Sequence, residues 1–200
     1  MNKEISQLIR LFTQLPALNY RSATRIVSYL LKKRTGITKL LTNQMTDLMA
    51  NIKCCCYCNN YCNNTNVCEI CSNTNRDNKT ICIVEDISSL WAIENAQTYE
   101  GVYYVLGGIL SISEDTDPDD LAIERLIEII KNNDATELIM ALNSNLEGKT
   151  TAQYIINIVN KYHEKGIAVS FLASGVPIGG EIEFLDKNTL IEAINSRKIL

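Results

Sequence analysis

The sequence has a single histidine, His163, and it has no apolar run as long as a membrane span. His163 follows Tyr162 near the end of a predicted helix, where a solvated structural role fits better than catalysis. No serine or cysteine has a histidine placed by a recognisable motif to activate it, which argues against nucleophilic catalysis. Residues 1–10 have an amphipathic helical pattern instead of an apolar signal segment. We therefore expect a soluble protein of the cytoplasm.

A large positive net charge is also absent, since the formal charge is −4, but the charge is unevenly distributed. Residues 1–53 carry nine Lys and Arg residues against two acids, a balance of +7. Residues 54–200 carry ten against twenty-one, a balance of −11. The basic part predicts contact with a polyanion, and the acidic part predicts a metal ion or a basic protein partner.

Four of the eight cysteines form two Cys-x-x-Cys pairs. Cys55 and Cys58 make the first pair, Cys68 and Cys71 make the second, and nine residues lie between the pairs. Four thiolates at this spacing can surround one Zn²⁺ tetrahedrally. The flanking Asn-rich sequence is too polar to form a core, so the metal must supply much of the local folding free energy. We predict one structural zinc ion per chain in a cysteine knuckle (residues 54–78).

The same cysteines could instead form a disulfide framework or a redox pair. Disulfides are disfavoured because nothing in the sequence indicates secretion. A catalytic zinc is disfavoured because four cysteine ligands leave no open coordination position. Cys54, Cys56 and Cys62 are then spare thiols, and Cys82 lies in an apolar run where it acts as a small hydrophobic residue.

The N-terminal part predicts a pair of helices. Residues 3–15 have apolar side chains at helical spacing, and Pro16 ends this helix. Residues 15–31 predict a turn and a second helix, with Ser22 as its N-cap. Asn19 stands where the turn would favour Gly, and Asn is the next residue best able to adopt a positive φ.

Basic residues cluster on the second helix. Arg21 and Arg25 are four residues apart, so they lie on one face near the helix N-terminus, where backbone N–H groups also favour an anion. Lys32, Lys33 and Arg34 follow as the helix ends. A basic run can be only a solvated surface, but on two helices joined by a short turn we predict contact with the DNA backbone.

From residue 80 onward, strands and helices alternate. Strands are predicted at 80–85, 101–106, 137–142 and 166–172, and helices at 88–97, at 150–164 and after the Asp117-Pro118 N-cap signal. Residues 175–197 are Gly-rich and then helical. This alternation predicts an α/β fold with a mostly parallel sheet and helices on both faces.

In such a sheet, functional residues collect beyond the carboxyl ends of the strands. A Glu after one strand and an Asp-x-Asp after another form the Mg²⁺ site of Toprim enzymes. Here Glu85 provides the first carboxylate, but Asn143 and Asn145 occupy the Asp-x-Asp positions. Two neutral amides argue against tight Mg²⁺ binding, and Glu85 and Glu147 remain for a weak site or a salt bridge to a basic partner.

Two other patterns imitate functional motifs. Residues 143–150 resemble the second half of a phosphate-binding P-loop, but Asn143 stands at a required Gly, and Lys149 is expected at the start of a helix. Trp91 and three tyrosines fit packing of a strand on a helix better than stacking on nucleobases; these are Tyr99, Tyr103 and Tyr104.

The order of helical pair, Cys₄ knuckle, Toprim-like body and Gly-rich acidic tail resembles the RecR family of bacterial recombination mediators over essentially the whole chain. The segments that carry the resemblance are LPALNYRSATRI (15–26), CEICS (68–72), ICIVED (81–86), VLGGILS (105–111), PDDL (118–121), LNSNLEGKTTAQYI (142–155) and GVPIGGEIEFLDKNTL (175–190). We therefore divide the chain into a helix-hairpin-helix region (1–53), a zinc finger (54–78), a Toprim-like domain (79–174) and a C-terminal segment (175–200).

The resemblance implies a non-enzymatic clamp. Proteins of this family form tetrameric rings, bind RecO and RecF, and help to load recombinase on gapped DNA. The DNA, whether single-stranded, gapped or double-stranded, would be bound independently of its sequence. The family's DNA-contacting basic pair falls on Arg21 and Arg25, and the acids implicated in partner contact fall on Glu85, Glu147 and the tail residues Glu181 and Glu183.

This sequence departs from the family pattern at several positions. Asn19 replaces the usual Gly of the hairpin, the cysteine pairs are one residue further apart, Ser174 stands where a basic residue is common, and residues 111–118 are less rich in Pro and Gly. Two other functions stay open. One is a Mg²⁺-dependent Toprim enzyme, a nuclease or a primase-like polymerase, and the other is a zinc-bearing protein-interaction module without direct DNA binding.

Overall fold

A computed structural model describes residues 2–111, 113, 115–162 and 166–197. His163, for which a structural role was predicted, lies outside the described residues. The chain divides into two compact units, Met1–Ile52 and Lys53–Leu200. Each unit is described separately below.

The first unit contains three helices. Helix α1 (Lys3–Thr13) and helix α2 (Tyr20–Lys32) pack through Ile9, Ala23 and Val27, which are all buried. An irregular turn at Arg34–Thr38 leads to α3 (Lys39–Asn51), which has no buried residue. The first two helices therefore form a hairpin with its own small core, while the third leaves its apolar side chains exposed.

The details of the α1–α2 turn differ from the prediction. Asn19, not Ser22, is the N-cap of α2, because the Asn19 side chain accepts a hydrogen bond from the backbone N–H of Ser22 at 3.0 Å. Asn19 has an extended backbone with φ of −88°, and the positive φ in this turn, 61°, belongs to Ala17. At this position Asn19 therefore acts as a helix cap, and its ability to adopt a left-handed conformation is not used.

The second unit begins with short elements around the cysteines. Strands β1 (Ile52–Cys54) and β2 (Tyr61–Asn63) form a two-stranded ribbon, and a single helical turn, α4 (Glu69–Ser72), follows. Apart from Asn60, the buried residues of this region are cysteines: Cys55, Cys58, Cys62 and Cys68. The ordinary apolar core that would hold such short elements is thus replaced by sulfur.

Four parallel strands follow, in the order β4-β3-β5-β6. They are β3 (Asp77–Val84), β4 (Gly101–Val105), β5 (Glu137–Ala141) and β6 (Ala168–Phe171). In the central register, Ile83 lies opposite Tyr104 on one side and Met140 on the other. The predicted α/β fold with a parallel sheet is confirmed.

Alternate residues of the strands face two separate apolar clusters. Ile81, Ile83 and Tyr104 face helices α6 (Ile123–Asn132) and α7 (Leu146–Tyr162), while Cys82 and Val84 face α5 (Ile87–Asn95). Helices therefore cover both faces of the sheet, as predicted. None of the helices in the described ranges combines the length and the apolar composition that a membrane crossing requires.

Two local predictions in this unit are wrong. Asp117 opens a 3₁₀ turn (Pro118–Asp120) instead of a long helix, because Leu121 takes an extended conformation and buries its side chain before α6 begins. Trp91 is 53% exposed, since Leu90 occupies the face of α5 that meets the sheet and the next side chain points about 100° away. The chain ends with a 3₁₀ turn (Ile182–Phe184) and helix α8 (Lys187–Asn195).

Candidate functional site

The two Cys-x-x-Cys pairs converge on one point. The Sγ atoms of Cys55, Cys58, Cys68 and Cys71 all lie within 4.8 Å of one another, and the first three side chains are buried. In a tetrahedral zinc site with Zn–S bonds of about 2.3 Å, the sulfur atoms are about 3.8 Å apart. The cluster therefore fits a metal ion after only small movements, and its four soft ligands close the coordination sphere.

Hydrogen bonds link the thiols of the cluster to one another. The Sγ atoms of Cys58 and Cys68 are 3.4 Å apart, and hydrogen bonding between the neighbouring thiols lowers the pKa of Cys68 and raises the pKa of Cys58. The backbone N–H of Cys68 points at Cys55 Sγ at 3.3 Å. A backbone donor aimed at a sulfur stabilises negative charge there, which is the state that a metal ligand must reach.

The other cysteines have different surroundings. Cys54 and Cys56 are exposed, whereas Cys62 is buried and donates from Sγ to the backbone oxygen of Thr65 at 3.0 Å. Cys82 is buried in the sheet, and burial raises the pKa of its thiol to about 12. Within residues 2–111, 113, 115–162 and 166–197, the four predicted ligands are the one group of three or more potential metal-binding side chains with donor atoms close together.

A second candidate site lies at the carboxyl ends of β3 and β5. We name Glu85, Asn143, Asn145 and Glu147 the acidic edge. The Asn143 side-chain amide donates to Glu85 Oε2 at 2.5 Å, so this carboxylate is held by a neutral donor. Asn145 Oδ1 accepts from the backbone N–H of Gly148 at 2.8 Å, at the beginning of α7. Each amide at the Asp-x-Asp positions thus has a structural role in place of metal ligation.

Glu147 is engaged separately. Its Oε1 accepts hydrogen bonds from Ser111 Oγ at 2.6 Å and from Ser113 Oγ at 3.5 Å. Both serines lie in the loop that follows β4, so Glu147 orients that loop. Glu85 and Glu147 therefore contact different partners within the chain, and the described residues hold no acidic metal cluster at this edge.

Residues 143–150 resemble a P-loop in their sequence but not in their structure. Lys149 lies in the first turn of α7, as expected. Gly148 is required because a Cβ at this position would lie 2.1 Å from the backbone oxygen of Asn143. The glycine therefore permits a close approach of two backbone segments, and it does not form a phosphate loop.

The basic residues of the first unit are exposed. Arg21 and Arg25 lie on α2, on the side opposite the buried Ala23 and Val27, and Lys32, Lys33 and Arg34 follow at its end. We name these five residues the basic face. The one ion pair in the part of the chain that the structure describes joins Arg76 and Glu94, so none of the five takes part in it.

The acids of the C-terminal segment are also exposed. Glu181 precedes the 3₁₀ turn and Glu183 lies within it. Large apolar residues lie close to them in the sequence, including Ile178, Ile182 and Phe184, and all three are exposed. This part of the chain presents an acidic and apolar surface.

Three structural contacts were missed by the sequence interpretation. The first is the pair of hydrogen bonds from Ser111 and Ser113 to Glu147, and the second is the ion pair between Arg76 and Glu94. The third is the hydrogen bond from the Asn59 side chain to the backbone of Val105, at the edge of the sheet. Asn59 could have been suspected, because it follows the ligand Cys58 directly and Asn readily adopts the positive φ, 64°, that it has here. The serine and arginine contacts span 18 residues or more and leave no local signal.

Together, the parallel sheet, the glutamate after its first strand and the preceding Cys₄ cluster define a Toprim-type α/β protein with a metal knuckle. The comparison with known families agrees with this class. Residues 79–173 match the model of the Toprim domain, and residues 175–198 match the model described as RecR, C-terminal.

Relatives named recombination protein RecR match nearly the full chain. The protein of Jannaschia sp. (strain CCS1) is 40% identical over 199 residues, which is 100% of this chain and 98% of that protein. The protein of Parvibaculum lavamentivorans is 43% identical over 195 residues, 98% of this chain and 96% of that protein. The chain belongs to the RecR family of recombination proteins.

Proposed function

We propose that the chain is a non-enzymatic DNA-binding scaffold in recombinational repair, which helps to load recombinase on gapped or single-stranded DNA in the cytoplasm. The observation that carries this proposal is the exposed basic face of α2. It occurs in a chain whose acidic edge has amides at two positions where a Toprim enzyme needs carboxylates. Membership of a family of recombination proteins supports the same function.

DNA would contact the basic face. Arg21 and Arg25 reach the same side of α2, and Lys32, Lys33 and Arg34 extend the positive charge at its C-terminal end. Contacts of this kind go to phosphates, which occur in every sequence, so binding should not depend on base identity. Single-stranded, gapped and double-stranded DNA are all suitable ligands for such a surface.

The absence of catalysis would follow from the acidic edge. Mg²⁺ binds through several oxygen ligands, usually including carboxylates, and two-metal phosphoryl transfer needs more negative charge than Glu85 and Glu147 supply. The side-chain amide of Asn143 also donates a hydrogen bond to the Glu85 carboxylate. The cysteine cluster would bind one structural Zn²⁺ through Cys55, Cys58, Cys68 and Cys71, because a closed set of four sulfur ligands suits a structural ion.

RecO and RecF are the proposed protein partners. Glu85 and Glu147 at the acidic edge, and Glu181 and Glu183 in the C-terminal segment, offer negative charge to a basic partner surface. The exposed apolar residues beside Glu181 and Glu183 would supply contact area that charge alone does not.

We further propose that the protein is a homotetrameric ring. Helix α3 exposes five large apolar side chains, of which Met49 is 79% exposed, and the C-terminal segment exposes Phe184 at 78%. Exposed apolar surface of this extent is typical of protein interfaces. Two such surfaces in different parts of one chain are what closure of a ring requires.

The experiment that tests DNA binding is a salt titration of affinity for gapped DNA, measured by fluorescence anisotropy. Replacing Arg21 and Arg25 by Ala removes two phosphate contacts. Affinity should fall about tenfold or more, and the slope of log K against log salt should decrease by about 2. The matched control replaces Arg10 and Lys39 by Ala, which removes the same charge from the same unit outside the basic face. Equal affinity and slope for both double variants would reject the assignment.

A further inference from the structure

The cysteine knuckle is bonded to the edge of the parallel sheet. The backbone N–H of Val105 donates to the oxygen of Cys58 at 2.9 Å, and the Asn59 side-chain amide donates to the oxygen of Val105 at 3.2 Å. Strand β4, which ends at Val105, is an edge strand of the sheet. An edge strand has unpaired backbone groups on its outer side. Here Cys58 and Asn59 satisfy both the N–H and the C=O group of Val105.

The geometry of this contact depends on the turn between two ligands. The N–H of Asn59 donates to the oxygen of Cys55 at 3.1 Å, and the N–H of Cys55 donates to the oxygen of Asn60 at 2.7 Å. Asn59 has a φ of 64°, a left-handed conformation that is uncommon for non-glycine residues, although Asn adopts it more readily than most. With sulfur in place of an apolar core, coordination of Cys55 and Cys58 to one ion is what can fix this turn.

The backbone beyond Val105 continues to the acidic edge. The N–H of Leu106 donates to the oxygen of Val84 at 3.0 Å, and the N–H of Gly107 donates to the oxygen of Glu85 at 3.0 Å. The Glu85 side chain in turn accepts from Asn143. Hydrogen bonds at both ends of residues 105–107 therefore connect the metal ligand Cys58, through this short piece of backbone, to the backbone oxygen of Glu85.

We propose that metal occupancy of the cysteine cluster controls the order of the sheet edge that carries Glu85, through a latch formed by Cys58 and Asn59 on Val105. Asn59 is a positioning residue in this latch. With the metal bound, the turn holds both bonds to Val105, and residues 105–107 stay paired with β3. Without it, the turn relaxes, both bonds open, and the backbone of residues 105–107 loses its outer support. An effect of this order on the docking of a protein partner would rest on the proposed role of Glu85 in that docking.

The test is hydrogen–deuterium exchange followed by mass spectrometry on the full, reduced chain, with zinc bound and after removal by a chelator. Exchange of the amides of residues 105–107 should become about tenfold faster without metal, because the backbone N–H of Val105 loses its acceptor, the oxygen of Cys58, and one hydrogen bond contributes about this much protection. Exchange in β5, at the centre of the sheet, should change by less than about twofold. Unchanged exchange at 105–107 in the metal-free chain would overturn the proposal.

A second variant decides the question if metal removal unfolds the whole chain. Asn59→Gly keeps the positive φ available and removes only the side-chain donor. In the zinc-bound variant, with metal content still one ion per chain, exchange at 105–107 should rise by about threefold. Asn64→Gly is the matched control, since Asn64 has a similar φ of 52° in the same cysteine knuckle. Equal exchange at 105–107 in the two variants would contradict the latch.

These measurements contain no DNA and no protein partner. Their failure would leave the basic face and its DNA contact untouched, and failure of the salt titration would leave the latch untouched. The two proposals can therefore be rejected independently.

Discussion

The cysteine knuckle and the parallel sheet belong to one compact unit, but different interactions hold them. The knuckle has Asn-rich loops, two short strands and one helical turn, and its buried residues other than Asn60 are cysteines. The sheet buries two apolar clusters, one on each face. Burial of apolar area is sufficient to stabilise the sheet, whereas the knuckle needs a metal ion that its sulfur atoms can bind. A small region with little apolar surface can thus be made rigid by four well-placed side chains.

The largest expected effect comes from removing one sulfur ligand. Cys58→Ser should reduce zinc from one ion per chain to less than about a tenth, because structural zinc sites contribute about 10–16 kcal/mol and three thiolates do not close the coordination sphere. Metal content of the purified variant is the measurement. The control is Cys54→Ser, in which an exposed thiol outside the cluster is replaced and zinc should remain bound. A Cys58→Ser variant with full zinc content would show that the ligand set is wrong.

The next effect should appear in the sheet and leave the metal in place. Leu138 is fully buried in β5, so Leu138→Ala creates a cavity and should lower the free energy of unfolding by about 2–5 kcal/mol. Denaturant unfolding measures this change, and zinc content should stay at one ion per chain. Leu146→Ala is the matched control, since Leu146 is 80% exposed and should change stability by less than about 0.5 kcal/mol. Loss of zinc in Leu138→Ala would show that the two regions are not held independently.

The smallest effect concerns a polar contact in the sheet region. Asp86 caps α5 by accepting from the backbone N–H of Ser89 at 2.8 Å, and this hydrogen bond lowers the pKa of Asp86. Asp86→Ala should cost about 1 kcal/mol at neutral pH. The pKa is lowered on folding, so the stabilisation is present above the unfolded pKa of about 3.9 and is lost as the pH falls through the folded value.

The difference in unfolding free energy between wild type and Asp86→Ala should therefore be constant from pH 7 to about pH 5 and shrink below about pH 4. Denaturant titrations at several pH values give this profile. Asp86→Asn is the control, because Asn also caps helices and should lose less stability than Ala. A difference that grows on acidification would contradict the assigned direction of the pKa.

Much of the difference between the cysteine knuckle and the parallel sheet could be predicted from the sequence, because it depends on residue spacing and on hydrophobic periodicity. The intervals between Cys55, Cys58, Cys68 and Cys71 identify a ligand set without a structure, and alternating strands and helices imply a parallel sheet. The amides Asn143 and Asn145 were also visible as departures from a metal site. Their structural roles were not visible, since the bond from Asn143 to Glu85 joins residues 58 positions apart.

Local choices among similar residues could not be predicted. Asn19 and Ser22 can both cap a helix, and only the backbone path shows that Asn19 reaches the N–H of Ser22. The sequence predicts that Trp91 packs between a strand and a helix, but one position along a helix turns a side chain by about 100°, which is enough to expose it. Such outcomes depend on register, and periodicity in the sequence is not sharp enough to fix it.

We propose that this RecR-family chain binds DNA and does not alter it. The most direct measurement incubates the purified zinc-bound protein with gapped DNA and Mg²⁺ at low salt. Part of each sample is run on a native gel for complexes, and the rest on a denaturing gel for strand length. We predict a shifted complex with intact strands, and loss of the shift when Arg21 and Arg25 are replaced by Ala. Nicked or extended strands would contradict the account, because they would require catalysis at an acidic edge that has Asn143 and Asn145 in place of carboxylates.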